Sequence, residues 1–174
     1  MIIPLKTIQE VLRVFNDDQL LTIYFDSNQI LFKNKDLEII SRVIDGSYPD
    51  YEQIIPKSLD TELVLSKDYL INALKLVSSF SGKNNDVNLT IQDKRLLKVY
   101  LTNQNLGENN YLVPVKINGE DFEGVSFNWR FLLDGLKVID SDNIIFGVNG
   151  NNKPAIIKSP DNTNYFYILM PIKN

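Results

Sequence analysis

The chain contains neither cysteine nor histidine. Without cysteine there are no disulfides, no thiol nucleophile and no thiolate metal site, a composition that fits a reducing cytoplasm. Without histidine there are no nucleophile–imidazole pairs, no imidazole general base and no histidine-ligated metal. The 8 glycines form no phosphate-cradling loop and no Walker-type motif. No run of about 18 apolar residues exists, so no membrane-spanning helix is expected. The start shows no basic segment leading into an apolar one, so export is not expected either. Carboxylates cluster in turn-like settings such as Asn16-Asp17-Asp18 and Ser159-Pro160-Asp161-Asn162, where solvated turns outrank acid–base chemistry. No catalytic residue, metal or cofactor is expected, and the chain does not read as an enzyme.

What is present is patterning. Three segments read as one helix written three times: residues 7–15 (TIQEVLRVF), 69–77 (YLINALKLV) and 130–139 (RFLLDGLKVI). Their apolar positions coincide under a step of 62 residues: Ile8, Leu70 and Leu132; Val11, Ala73 and Gly135; Leu12, Leu74 and Leu136; Phe15, Val77 and Ile139. Spaced at i, i+3, i+4 and i+7, they make a single apolar stripe on an amphipathic helix. Ser66 and Asn128 stand at equivalent places as N-cap residues, and Pro4 suits a first helical turn.

After each helix come three short runs rich in β-branched and aromatic residues: 20–25, 29–32 and 37–43; then 86–91, 96–101 and 111–115; then 143–148, 155–158 and 165–170. A strand-like stretch precedes each helix, at 2–3, 62–65 and 124–127. The pattern predicts an α+β fold of three βαβββ units, with helices on one face of antiparallel sheets. One such unit cannot bury both its sheet and its helix, so units should pair. The second and third then form a complete domain, and the first is left without a mate. On this reading about half a domain is missing upstream of Met1, and the first unit should expose a sheet edge and apolar surface.

The net charge of −4 argues at first against nucleic acid. Distribution matters more. Opposite the apolar stripe stand Lys6 and Arg13, and their repeat equivalents are Asp68 and Lys75, then Arg130 and Lys137. Five of these six positions are basic. Two readings stand side by side: ordinary solvation of exposed helix faces, or a surface that tracks a phosphate backbone. No aromatics alternate with these bases, so stacking on single-stranded bases is not indicated.

Residues 43–51 read VIDGSYPDY, followed by Ile54-Ile55-Pro56; residues 125–133 read VSFNWRFLL; the chain ends in Tyr167-Ile168-Leu169-Met170-Pro171-Ile172-Lys173. In this order and at these distances, they resemble the bacterial β sliding clamp, the processivity factor of the replicative DNA polymerase. The resemblance covers the whole chain. It implies the DNA-clamp fold, with residues 1–57 as the second half of a middle domain and 58–174 as a complete third domain. It further implies a homodimeric ring around duplex DNA, contacted without regard to sequence, in the bacterial cytoplasm at the nucleoid. Lys6, Arg13, Lys75, Arg130 and Lys137 would face the DNA. A pocket for short peptide motifs of the replicative polymerase and clamp loader would be walled by Pro49, Gln53, Ile54, Asn128, Phe131, Pro154, Ile168, Leu169, Met170, Pro171 and Ile172. Aliphatic side chains with a methionine make an adaptable cleft, and Asn128 would add a directional hydrogen bond. Ser79 and Phe80 would lie at the contact with a second protomer.

On the residues alone, 168–170 read more readily as a buried last strand than as a pocket wall. The family's Thr-Asp-Gly-His-Arg-Leu stretch does not occur here, and Gln53 stands where a basic residue is frequent. The pocket is therefore expected to be incomplete and the usual ring not to close from this polypeptide alone. A protein-interaction adaptor that keeps the pocket and never encircles DNA is the other reading.

Overall fold

Each of the three apolar stripes forms a helix in the computed structural model: α1 (Leu5–Val14), α2 (Lys67–Ser78) and α3 (Trp129–Val138). The structure describes residues 1–15, 20–82, 85–103, 107–162 and 164–173. The turn expected at Asn16, Asp17 and Asp18 lies outside the described residues. The strands are β1 (Thr22–Phe25), β2 (Gln29–Lys33), β3 (Glu38–Arg42), β4 (Thr61–Ser66), β5 (Asp86–Gln92), β6 (Leu96–Asn103), β7 (Gly107–Gly119), β8 (Val125–Asn128), β9 (Asn143–Val148), β10 (Ala155–Lys158) and β11 (Phe166–Leu169). A 3-10 turn, Tyr51–Ile54, is an element the periodicity did not predict.

Two compact units result, Met1–Tyr51 and Glu52–Asn174, hereafter unit 1 and unit 2. In unit 1 the sheet runs β1-β2-β3, all antiparallel. The stretch expected at 2–3 is reduced to one antiparallel bridge, Ile2 to Ile44. Val11 of α1 meets Ile30 and Phe32 of β2, with Ile3, Ile8, Phe15, Leu21, Ile39 and Val43 packed around them. The small core follows from alternation, because Ile30 and Phe32 are the inward positions of a strand whose other residues face out.

Unit 2 is a sheet in the order β11-β10-β9-β4-β7-β6-β5-β8. It contains the βαβββ unit twice: β4, α2, β5, β6, β7 and then β8, α3, β9, β10, β11. β7 is long enough to serve two neighbours, pairing β6 through Gly107–Pro114 and β4 through Val115–Gly119. Beyond β11, the N–H of Ile172 donates to the carbonyl of Ser126 at 2.8 Å, tying the C-terminal segment to β8. Leu70, Leu74 and Val77 of α2 and Leu132 and Leu136 of α3 are fully buried against the sheet. Alternation is strict on β4, where Leu63 and Leu65 face the core.

The third helix shows why one repeat position is glycine. A Cβ on Gly135 would lie 2.4 Å from Cδ1 of Tyr167, so the Tyr167 ring rests directly on the helix backbone. Val11 and Ala73 occupy this place in the other helices. Helix starts differ as well. The Asn128 side chain accepts from the N–H of Arg130 at 3.0 Å, whereas Ser66 makes no side-chain cap and Pro4 precedes the first helical residue.

Candidate DNA-facing helices and peptide corner

The five basic residues expected to share a role all stand exposed on their helices: Lys6 and Arg13 on α1, Lys75 on α2, Arg130 and Lys137 on α3. They lie on the side of each helix away from the centre of its apolar stripe, which in α2 and α3 is buried against the sheet. Asp68, the acidic exception in the pattern, is exposed too.

Their surroundings differ. Arg13 is held by Glu10 one turn earlier, through two side-chain hydrogen bonds. That bond draws the Glu10 carboxyl below the usual carboxylate range and raises the Arg13 guanidinium. Lys137 lies 3.5 Å from Asp134. The Arg130 guanidinium sits 5.1 Å from the centre of the Trp129 indole. Lys6 and Lys75 make no ion pair among the described residues. The apolar periodicity carried no sign of the Glu10 and Asp134 partners, although i, i+3 spacing could have revealed both.

Several of the residues expected at the peptide pocket meet at one corner of unit 2. Asn128 ends β8 and opens α3, whose first turn carries exposed Phe131. The bond from Ile172 to Ser126 brings the C-terminal segment alongside β8. Pairing of Ala155 with Leu169 sets Pro154 across from Met170. Leu169 and Pro171 are buried, Ile168 and Ile172 half-buried, and Met170 exposed. Ile168 and Leu169 thus belong to the last strand, and Met170, just past its end, adds a solvent-facing apolar side chain. Asn128 spends its side-chain oxygen on the helix cap rather than holding it for a ligand. A cavity of about 300 Å³ adjoins Ile172, lined by Gly124, Ser126, Asn151, Asn152 and Lys173, and its wall is more polar than an apolar cleft.

Gln53 and Ile54 lie exposed on the 3-10 turn. Pro49 belongs to unit 1, where its carbonyl accepts the N–H of Tyr51 at 2.9 Å. Ser79 is exposed at the end of α2 and its hydroxyl donates to the carbonyl of Leu76 at 2.8 Å. Phe80 is partly buried against the unit 2 core, and its carbonyl accepts from the Asn103 side chain at 3.4 Å. Burial pushes the Tyr167 hydroxyl up, and the nearby Asp134 adds to the shift.

Comparison with known proteins now decides the family. The sequence model for the DNA polymerase III beta subunit, C-terminal domain, matches residues 52–173, and that for its central domain matches residues 1–50. The chain belongs to the DNA polymerase III beta subunit family. A beta sliding clamp from Staphylococcus epidermidis is 30% identical over 179 residues, covering 99% of this chain and 46% of that protein. One from Synechococcus elongatus is 28% identical over 171 residues, covering 97% of this chain and 45% of the relative. The crystal structure of the Bacillus subtilis DNA polymerase sliding clamp superposes with a TM-score of 0.90 at 27% identity, over 99% of this chain and 46% of that one. The beta subunit from Pseudomonas aeruginosa gives 0.91 at 28% identity, over 99% and 47%. The chain spans about half the length of the relatives it matches. No helix among the described residues is long and apolar enough to cross a membrane.

Proposed function

We propose that this chain serves as part of a sliding clamp, a non-enzymatic tether that holds a replicative DNA polymerase on duplex DNA in the bacterial cytoplasm. Residues 1–57 act as the second half of a central clamp domain and residues 58–174 as the third domain. The observation that carries this reading is the recurrence of exposed cations on the outer faces of helices whose inner faces are apolar, in a chain of net charge −4. Lys6, Arg13, Lys75, Arg130 and Lys137 meet phosphates, and none of them reads a base edge, so contact is independent of sequence and allows sliding. Asp134 and Glu10 keep two of these contacts weak, which suits a surface that must move along DNA. A second protomer closes the ring, with Ser79 and Phe80 at the contact.

The exposed apolar edge formed by Phe131 and Met170, with Ile168, Ile172 and Pro154 beside it and Leu169 and Pro171 beneath, takes short peptides from the polymerase and the clamp loader. Gln53, Ile54 and Asn128 extend that surface. The test is duplex binding by the clamp assembled from this chain, measured against salt. Lys75→Ala with Lys137→Ala should weaken binding to all sequences alike and flatten the log-affinity slope by about one unit per lost phosphate contact. An unchanged slope would refute the assignment of these helices to DNA.

A further inference from the structure

Asn149, the first residue after β9, is 8% exposed and uses both ends of its side-chain amide on the segment that leads into β4. Its Nδ2 donates to the carbonyl of Ser58 at 3.0 Å, and its Oδ1 accepts the N–H of Asp60 at 2.7 Å. The amide brackets Leu59 from both sides, standing in for the backbone of a neighbouring strand. A buried amide left without these partners would be costly, so burial of Asn149 and seating of the segment go together.

The same segment is fastened elsewhere too. The N–H of Glu120 donates to the carbonyl of Asp60 at 3.1 Å, and the Thr61 hydroxyl donates to the carbonyl of Glu120. Gly119, at φ +111°, lets β7 close on this place, because a Cβ there would lie 2.2 Å from the Asp60 carbonyl oxygen. Leu59 packs on Gly147 of β9, and Nζ of Lys153 lies 3.4 Å from the Asp60 carboxylate. Asn149 and Lys153 belong to one loop, residues 149–154, which ends in Pro154. Upstream, only Ile55, Pro56 and Lys57 separate Ile54 from Ser58. Such a stretch reaches at most about 14 Å, so Ile54 stays near the clasp. Every group in it lies within unit 2.

We propose that Asn149 is a positioning residue for the peptide corner. It holds the stretch carrying Gln53 and Ile54 and the loop carrying Pro154 in one arrangement, so that a partner peptide meets a surface already formed. Being buried, Asn149 acts through these backbones and does not touch the peptide. A surface ordered beforehand loses less entropy on binding. This role rests on the reading of that corner as a peptide site.

Two measurements on the 174-residue chain test the role together: amide exchange at Asp60, and affinity for a labelled peptide. The probe is the tightest binder of the wild-type chain among overlapping synthetic peptides that cover the same organism's replicative polymerase. In the wild type, the Asp60 N–H should exchange slowly whether or not the peptide is present. Asn149→Ala should speed that exchange by at least about ten-fold and raise the peptide Kd by about three- to ten-fold. Asn149→Asp sets a carboxylate oxygen against the Ser58 carbonyl, and should raise the Kd as much while keeping the Asp60 N–H bonded. Met170→Ala should weaken peptide binding with no change at Asp60. Rapid exchange of Asp60 in the wild type, slowed only when peptide binds, overturns the proposal whether or not the variants fold. So does an Asn149→Ala chain that binds as the wild type does while Met170→Ala weakens binding, for the corner is then a peptide site that needs no clasp. A wild-type chain that binds none of the peptides removes the peptide reading itself, and this role with it.

Discussion

Units 1 and 2 are written in the same pattern and reach different states of burial. α1 and α2 carry apolar residues at the same four positions, yet Leu70, Leu74 and Val77 are sealed while Ile8 and Phe15 are only half-covered and Leu12 is exposed. The helix–sheet contact inside a single βαβββ unit accounts for Val11, Ile30 and Phe32. The remainder of the stripe needs a second unit. The repeat is thus half of a folding element, and its apolar stripe is wide enough for two partners: its own sheet and a neighbouring helix.

That contrast can be broken or sharpened by substitution. The largest effect is expected at Leu74. Leu74→Ala should destabilise unit 2 by about 2–5 kcal/mol at any protein concentration. Leu12→Ala, at the same repeat position, should change the stability of the dilute chain by no more than about 0.5 kcal/mol. Urea unfolding at low concentration measures both, and equal losses would mean that α1 is covered within the single chain.

A smaller effect is expected at Gly135. Gly135→Ala drives a methyl group into the Tyr167 ring, a strain of about 1–3 kcal/mol that outweighs a helix-propensity gain of up to about 1 kcal/mol. In a Tyr167→Ala background the same substitution should cost nothing further, and thermal melts of the four variants complete the cycle.

The smallest effect is pH dependence in unit 1. The Asp26 carboxylate accepts from the N–H groups of Asn28 and Gln29 at 2.7 and 2.8 Å, and these bonds hold its pKa below the usual range. A lowered folded-state pKa contributes stability above the unfolded-state value and loses it as pH falls through the folded one. Acidification through the carboxylate range should therefore weaken the β1–β2 turn, and Glu10 acts in the same direction through its bond to Arg13. Asp26→Asn should remove the turn's share of this dependence, as read from NMR shifts of Asn28 and Gln29 against pH.

Much of this was legible in the sequence. The stripes at Ile8, Leu70 and Leu132 marked the helices, and the β-branched runs at 143–148 and 155–158 became β9 and β10 within the same bounds. Hydrophobic periodicity reports which face of an element is inward, so cations opposite the stripe were bound to be exposed. It does not report lateral partners. The bonds from Arg13 to Glu10 and from the Arg130 N–H to the Asn128 side chain depend on side-chain rotamers, and the Gly135–Tyr167 contact joins residues far apart in the chain. β7 extends past the expected 111–115 at both ends, because residues 107–110 pair with β6 and residues 116–119 with β4, partners that the local pattern does not show. At the peptide corner, the motif placed 168–172 on one segment, but the extended chain through the end of β11 alternates, so that Leu169 and Pro171 turn inward while Met170, past the strand, faces solvent.

The most direct measurement is amide hydrogen exchange on β1 and β5, followed at low and at high protein concentration. β5, bonded on both edges by β6 and β8, should exchange slowly at both. The outward amides of β1, which pairs with β2 alone among the described strands, should exchange fast at both. Protection of β1 equal to that of β5 would contradict the claim that one βαβββ unit secures only part of its own sheet and stripe.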